Sequence, residues 1–301
     1  MSVKSIKNQA KVAGFTLIEL VIVMVLMGIL ASTFMVFFMP TIKGYFDARR
    51  RADLTDIADT ALRKLNQDIK RAVPNSINLI DGTSAGDSVA CFQLVPAVGG
   101  GRYRLAPDTV NDAATCATSP LGQVGVCSRY PDYSAASTDP QVFDVLMSSG
   151  QSPVVGDAVV INNQNGDDVY ASTGGSRSQI TALSTPPNVN FGDMRITIAS
   201  NPTATGYSGG RYLNVAQTER SIIYSCSGGK LYRNNPGTFV KATACPTTGD
   251  LLASDVKSCD FIYDANVGAT QQSGFLWVSL MLERQGEAVR MESGSHVDNQ
   301  P

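Results

Sequence analysis

From Phe15 to Met39 the chain is apolar without a break, and Glu19 is the only ionisable side chain in that run. At about 1.5 Å per residue, a helix of this length crosses a hydrocarbon core of about 30 Å with some tilt. The run therefore sets the plan of the chain: a membrane span near the amino terminus, with the folded part following it. The lone carboxylate needs its own account, because an acid in lipid is costly and is normally held by a partner. One reading gives Glu19 such a partner; the other is a signal-anchor in which Glu19 snorkels to the headgroups. A cleaved secretory signal fits worse, since the run is too long and no A-x-A pattern closes it. Lys4, Lys7 and Lys11 precede the run with no acid among them, which holds that end in the cytoplasm. Arg49, Arg50 and Arg51 beyond the span weaken the charge argument for orientation.

The stretch Gly14-Phe15-Thr16-Leu17-Ile18-Glu19-Leu20, behind its short basic leader, resembles the processing site of type IV prepilins and type II secretion pseudopilins. The resemblance implies that a membrane prepilin peptidase cuts between Gly14 and Phe15 and methylates the new amino terminus on Phe15. It also implies that Glu19 meets the terminal ammonium of a neighbouring subunit. Opposite charges in one bilayer offset each other's desolvation only when the subunits are in register, so Glu19 would act as an assembly ruler. The implied organisation is a leader over 1–14, the transmembrane half of a long helix over 15–39, its amphipathic half over 40–73, and a β-rich domain over 74–301. The fold class is α+β, with the helix packed on a mainly antiparallel domain of pilin type. Cys91 to Arg104, Tyr224 to Arg233 and the tail Ser295 to Pro301 are similar to minor pilins of mannose-sensitive haemagglutinin pili. The tail is also similar to J-type pseudopilins and W-type minor pilins. That likeness implies a low-copy subunit in a complex that starts or caps a filament. It would sit first in the inner membrane, with its carboxyl-terminal domain in the periplasm, and then in the pilus. Its partners would be the peptidase, other minor and major pilins, and the inner-membrane assembly platform with its ATPase.

Pro40 removes a backbone donor and should kink the helix. Beyond it, Leu54, Ile57, Ala58, Ala61, Leu62, Leu65, Ile69 and Ala72 recur at spacings of three and four, an amphipathic pattern that ends at Pro74-Asn75-Ser76. After that come short β-type runs: 88–95, 142–147, 157–161, 194–199, 221–225, 230–233, 259–263, 275–283 and 287–291. Ser227-Gly228-Gly229 and Arg284-Gln285-Gly286 read as tight hairpin turns. No second long helix is evident, and 108–140 and 172–190 read as long polar loops.

The six cysteines, Cys91, Cys116, Cys127, Cys226, Cys245 and Cys259, all lie beyond the span, and none forms a C-x-x-C pair. An even set in an exported domain reads as disulfides, with zinc as the competing reading and spacings that do not suit it. Local closure of Cys116 with Cys127 and of Cys226 with Cys245 would leave Cys91 with Cys259 as a long clamp. Two G-x-S-x-G patterns, around Ser84 and Ser208, lack the strand-then-helix context of a nucleophile elbow, and His296 is the only histidine. Asn162 to Asp168 is rich in oxygen ligands but lacks the order of an EF-hand, so a tight hairpin turn at Asn165-Gly166 is the better reading. The expectation is therefore no catalytic residue, no cofactor and no metal. A net charge of -2 gives no global reason to hold nucleic acid. Two alternatives to the minor pilin stay open: a J-type pseudopilin, and a tip module that binds glycan or DNA through its polar loops.

Overall fold

The computed structural model describes residues 14–81, 88–114, 116, 126–202, 209–267 and 273–298. The chain forms two compact units, 1–52 and 53–301. One helix, α1 (Leu17–Lys70), contributes to both and carries Pro40 in its interior. In the first unit every residue from Gly14 to Phe46 is exposed. Three hydroxyls of this apolar stretch turn back on their own backbone: Ser32 and Thr33 donate to Ile29 O at 2.8 and 3.1 Å, and Thr41 to Phe37 O at 3.2 Å. Hydroxyls satisfied in this way cost little in lipid.

In the second unit the predicted stripe is the buried face of α1, with Leu54, Ala58, Ala61, Leu62, Leu65 and Ile69 all inside. It packs on two antiparallel sheets. The first has the order β1 (Asn78–Leu79), β3 (Cys91–Leu94), β10 (Ile222–Ser227), β11 (Lys230–Asn234), β12 (Asp250–Ser254). The second has the order β15 (Glu287–Asp298), β14 (Ser273–Arg284), β13 (Val256–Val267), β2 (Ser88–Val89). Phe92, Leu94, Tyr224 and Leu231 from the first sheet meet Phe261, Leu276, Val278 and Leu280 from the second in one core beneath the helix. Both expected hairpin turns are present. Gly228 and Gly229 have φ of 57° and 74° between paired Ser227 and Lys230, and Gln285 and Gly286 have φ of 52° and 85° between Arg284 and Glu287. Positive φ at both loop residues matches the right-handed twist of the flanking strands.

Between neighbouring strands β3 and β10 the chain inserts a closed six-stranded barrel, which the sequence pattern did not announce. Its order is β4 (Gly99–Tyr103), β5 (Gln141–Gly150), β8 (Met194–Ile198), β7 (Arg177–Ser184), β6 (Ala158–Val160), β9 (Arg211–Val215), and β9 pairs with β4 to close it. Inside, Phe143 lies between Tyr103 and Tyr212, with ring centres 5.2 and 6.2 Å away, among Val145, Val159, Ile180, Ile196 and Ile198. Gly99-Gly100-Gly101 makes the seam possible. A Cβ at Gly100 would stand 2.6 Å from Tyr212 O, and one at Gly99 2.5 Å from Gln151 O. The stretch 172–190, expected to be a loop, contains β7. Its alternation of buried Ser178 and Ile180 with exposed Gln179 and Thr181 is obscured in the sequence by small polar residues on the inward side.

The cysteines form three disulfides, Cys91–Cys245, Cys116–Cys127 and Cys226–Cys259, with Cα separations of 5.8, 5.7 and 6.4 Å. The local bridge 116–127 is as expected, and the other two exchange partners. Strand geometry gives the reason. Cys91 stands opposite Ser225, so it shares that residue's face, and Cys226 points to the other. Cys91 therefore meets Cys245 beside Ile80 and Ile223, while Cys226 faces the helix-side core and finds Cys259.

Candidate functional site: the helix start

The amino end of α1 is built by Thr16 and Glu19. Thr16 precedes the first helical residue, Leu17, and its Oγ1 accepts from Glu19 N at 3.4 Å. Glu19 reaches back, its Oε2 accepting from Thr16 N at 3.5 Å and from Thr16 Oγ1 at 3.4 Å. This is the reciprocal capping box, in which two backbone N–H groups left over at the helix start are satisfied by side chains. The sequence carries its signature, Thr-x-x-Glu before an apolar run, and the reading of Glu19 as a charged ruler passed over it. Glu19 thus has a partner within its own chain, and its negative charge lies at the positive end of the helix dipole. Phe15, just outside the helix, is 77% exposed, and Gly14 precedes it outside any regular element. The basic leader lies outside the described residues.

At the other end of α1, Asp68 fixes the helix to the β domain. It is fully buried on the apolar face, where periodicity alone would place a hydrophobe. Its carboxylate accepts from Tyr224 Oη at 2.7 Å, Arg233 Nε at 2.7 Å and Arg71 Nη2 at 2.5 Å. Glu219 closes the network by pairing with both Arg71 and Arg233. Burial alone would raise the Asp68 pKa, but the hydrogen bonds from Tyr224, Arg233 and Arg71 outweigh it and hold the carboxyl below its ordinary value. Burial raises the Tyr224 phenol, and the Asp68 charge adds to it. For Arg233, desolvation is outweighed by Glu219 and Asp68, and its pKa rises.

The remaining sequence candidates are not brought together into a site. The pattern around Ser84, Ser208 itself and the last three residues lie outside the described residues, and Gly210 leads directly into β9 rather than into a helix. His296 lies in β15 with its ring edge-on to Phe275 at 5.0 Å. In the Asn162–Asp168 stretch, Asp168 accepts from Asn165 N at 3.1 Å and Asp167 pairs with Lys241, so the two carboxylates serve a loop. That loop joins β6 to β7 over 161–176 rather than forming the tight hairpin expected at Asn165-Gly166. Asp112, Cys116 and Cys127 lie close enough together to suggest metal ligands, but the two sulfurs are already bonded to each other.

Comparison with curated protein sequences gives no match, and comparison with solved structures gives none either. A family description, the prokaryotic N-terminal methylation motif, matches residues 9–35. That range covers Gly14, Phe15, the capping pair and the apolar run as far as Met35. The motif implies processing by a prepilin peptidase and assembly with pilins, and it fits a protein anchored in a membrane by α1. At its amino end, therefore, the chain carries the methylation motif of type IV prepilin-like proteins.

Proposed function

We infer that this chain is a minor pilin, a low-copy subunit of a type IV pilus of the mannose-sensitive haemagglutinin type, acting in a complex that initiates or caps the filament. One observation carries the reading: from Leu17 to Phe46 the helix is exposed on every face, while its charge is confined to Glu19 and Lys43. Such a surface needs lipid first and then the flanks of similar helices. The peptidase cuts after Gly14, Phe15 receives the methyl group, and Glu19 sets register by exchanging its intrachain bond to Thr16 N for the free ammonium of a neighbour. The chain has no reaction of its own in this reading. The J-type pseudopilin differs from it only in the machine served.

The intact mass of the protein from cells with and without the peptidase tests processing. The expected result is loss of residues 1–14 and gain of one methyl group only where the peptidase is present; a retained leader refutes it. Deletion of the gene then tests the role. Loss of sheared surface pili, restored by complementation, is expected. Normal pilus numbers with impaired protein export would move the assignment to a secretion pseudopilus.

A further inference from the structure

The rim of the barrel where β5 and β7 begin and β8 ends holds a cavity of about 60 Å³, lined by Ser137, Thr138, Ser172, Thr173, Arg177 and Ser200. A water needs roughly 10–15 Å³ of such space, so the cavity suits a few waters or one small polyatomic ion. Among the described residues, Arg177 is its only charged wall. Nε of Arg177 donates to Val169 O at 2.8 Å, and the guanidinium lies 4.5 Å from the centre of the Phe239 ring. Arg220 approaches the same ring at 5.9 Å. Among the described residues neither arginine pairs with a carboxylate. Asp139, the acid nearest in sequence to the cavity, turns its Oδ2 to Ala136 N at 3.1 Å. Burial and the like charge of Arg220 lower the Arg177 pKa, the shift expected of a cation without a counter-ion.

Two cations converging on one aromatic ring repel each other, and Arg177 is half-buried, so part of its charge is held away from bulk water, where a guanidinium favours an acceptor that takes two of its N–H groups. Here the Nη groups have no protein acceptor among the described residues. The hydroxyls of Ser137, Thr138, Ser172 and Thr173, which make no hydrogen bond among the described residues, stand around the same space and can donate. Gly174, at φ of +68°, bends the loop that brings Ser172 and Thr173 to the cavity. A metal cation is disfavoured by Arg177, and a neutral ligand would leave its charge unmatched. The geometry points to a binding site for a single oxyanion group, a sulfate, a phosphate monoester or a carboxylate, at this rim of the inserted barrel. The group is either a free ion or a substituent on an acidic polysaccharide, and the inference does not depend on the pilin assignment.

Calorimetric titration of the full chain in detergent with sulfate and with phosphate, each against chloride at matched ionic strength, tests the site. Retention on sulfated dextran against neutral dextran distinguishes the source. Arg177→Gln should abolish binding. Ser172→Ala with Thr173→Val lies on an exposed loop, leaves the fold unchanged by circular dichroism, and should weaken binding ~10-fold or more for two lost charge-assisted bonds. Saturable binding of the free ions without retention on the polymer supports a free-ion site. Retention lost in both variants supports a polysaccharide substituent. Absence of both, or binding that the loop variant leaves unchanged, overturns the proposal.

Discussion

Glu19 combines a capping role with a charge, and two substitutions separate them. Glu19→Gln keeps an oxygen for Thr16 N, since glutamine also closes a capping box, but removes the charge. Thr16→Val keeps the charge and removes the hydroxyl that accepts from Glu19 N, at a cost of about 1 kcal/mol to the helix start. If the charge sets register, pili sheared from cells should lack the Glu19→Gln subunit and still contain the Thr16→Val subunit, by immunoblot. Equal incorporation of both would refute the ruler role. Asp68 allows a second prediction at this scale. Asp68→Asn takes from Arg233 one of its two carboxylate partners, leaving Glu219, and should cost about 1.5–3 kcal/mol in denaturant unfolding. The folded pKa of Asp68 lies below the unfolded value of 3.8, so its contribution is complete above that value and is lost as pH falls through the lower folded one. Wild type should lose stability faster than Asp68→Asn on acidification below ~pH 4.

At the scale of elements, legibility in the sequence depends on how much signal each element carries. The helix stripe and the long strands β13 and β14 announce themselves because one face is apolar throughout. Strand β4 does not, because Gly99-Gly100-Gly101 has no side chains to alternate, and its strand conformation is imposed by the two neighbours it lies between. Strand β7 buries serine, which reads as loop. The site reading had the same limit: Phe15 and Glu19 stand out by type and spacing, while Asp68 and Arg177 also depend on Tyr224 and Phe239, more than a hundred and more than sixty positions away. Two outcomes test these elements. Gly100→Val should open the barrel seam, raising hydrogen exchange in β4, β5 and β9 while β13–β15 stay protected. Cys226→Ser with Cys259→Ser removes the bond joining the two sheets and should cost about 2–4 kcal/mol. Cross-linked peptides from the native chain should contain 91 with 245 and 226 with 259.

For the molecule as a whole, the question is whether the barrel is part of the scaffold or is carried by it. Its two ends leave side by side, because Val98 N donates to Asn214 O at 2.8 Å and Gly99 stands opposite Asn214. The strands it interrupts already pair, Leu94 with Ile222. A chain with 98–216 replaced by a short turn would therefore make an ordinary hairpin of β3 and β10. It would lose the apolar contact in which Val73, Val95 and Phe239 pack on Ala158, Val160, Val169 and Val215, together with the bond from Tyr170 Oη to Ser76 O at 2.6 Å. Uncovering a buried apolar side chain costs about 1.5–3 kcal/mol, so the shortened chain should melt at a clearly lower temperature. The core beneath α1 is separate from this contact and should keep unfolding cooperative. If the barrel is cargo, the shortened chain will be cleaved by the peptidase and restore pili to a deletion strain while failing to bind oxyanions. If it folds and is cleaved but restores no pili, the barrel is a contact surface for assembly, and the helix and two sheets are insufficient to start a filament.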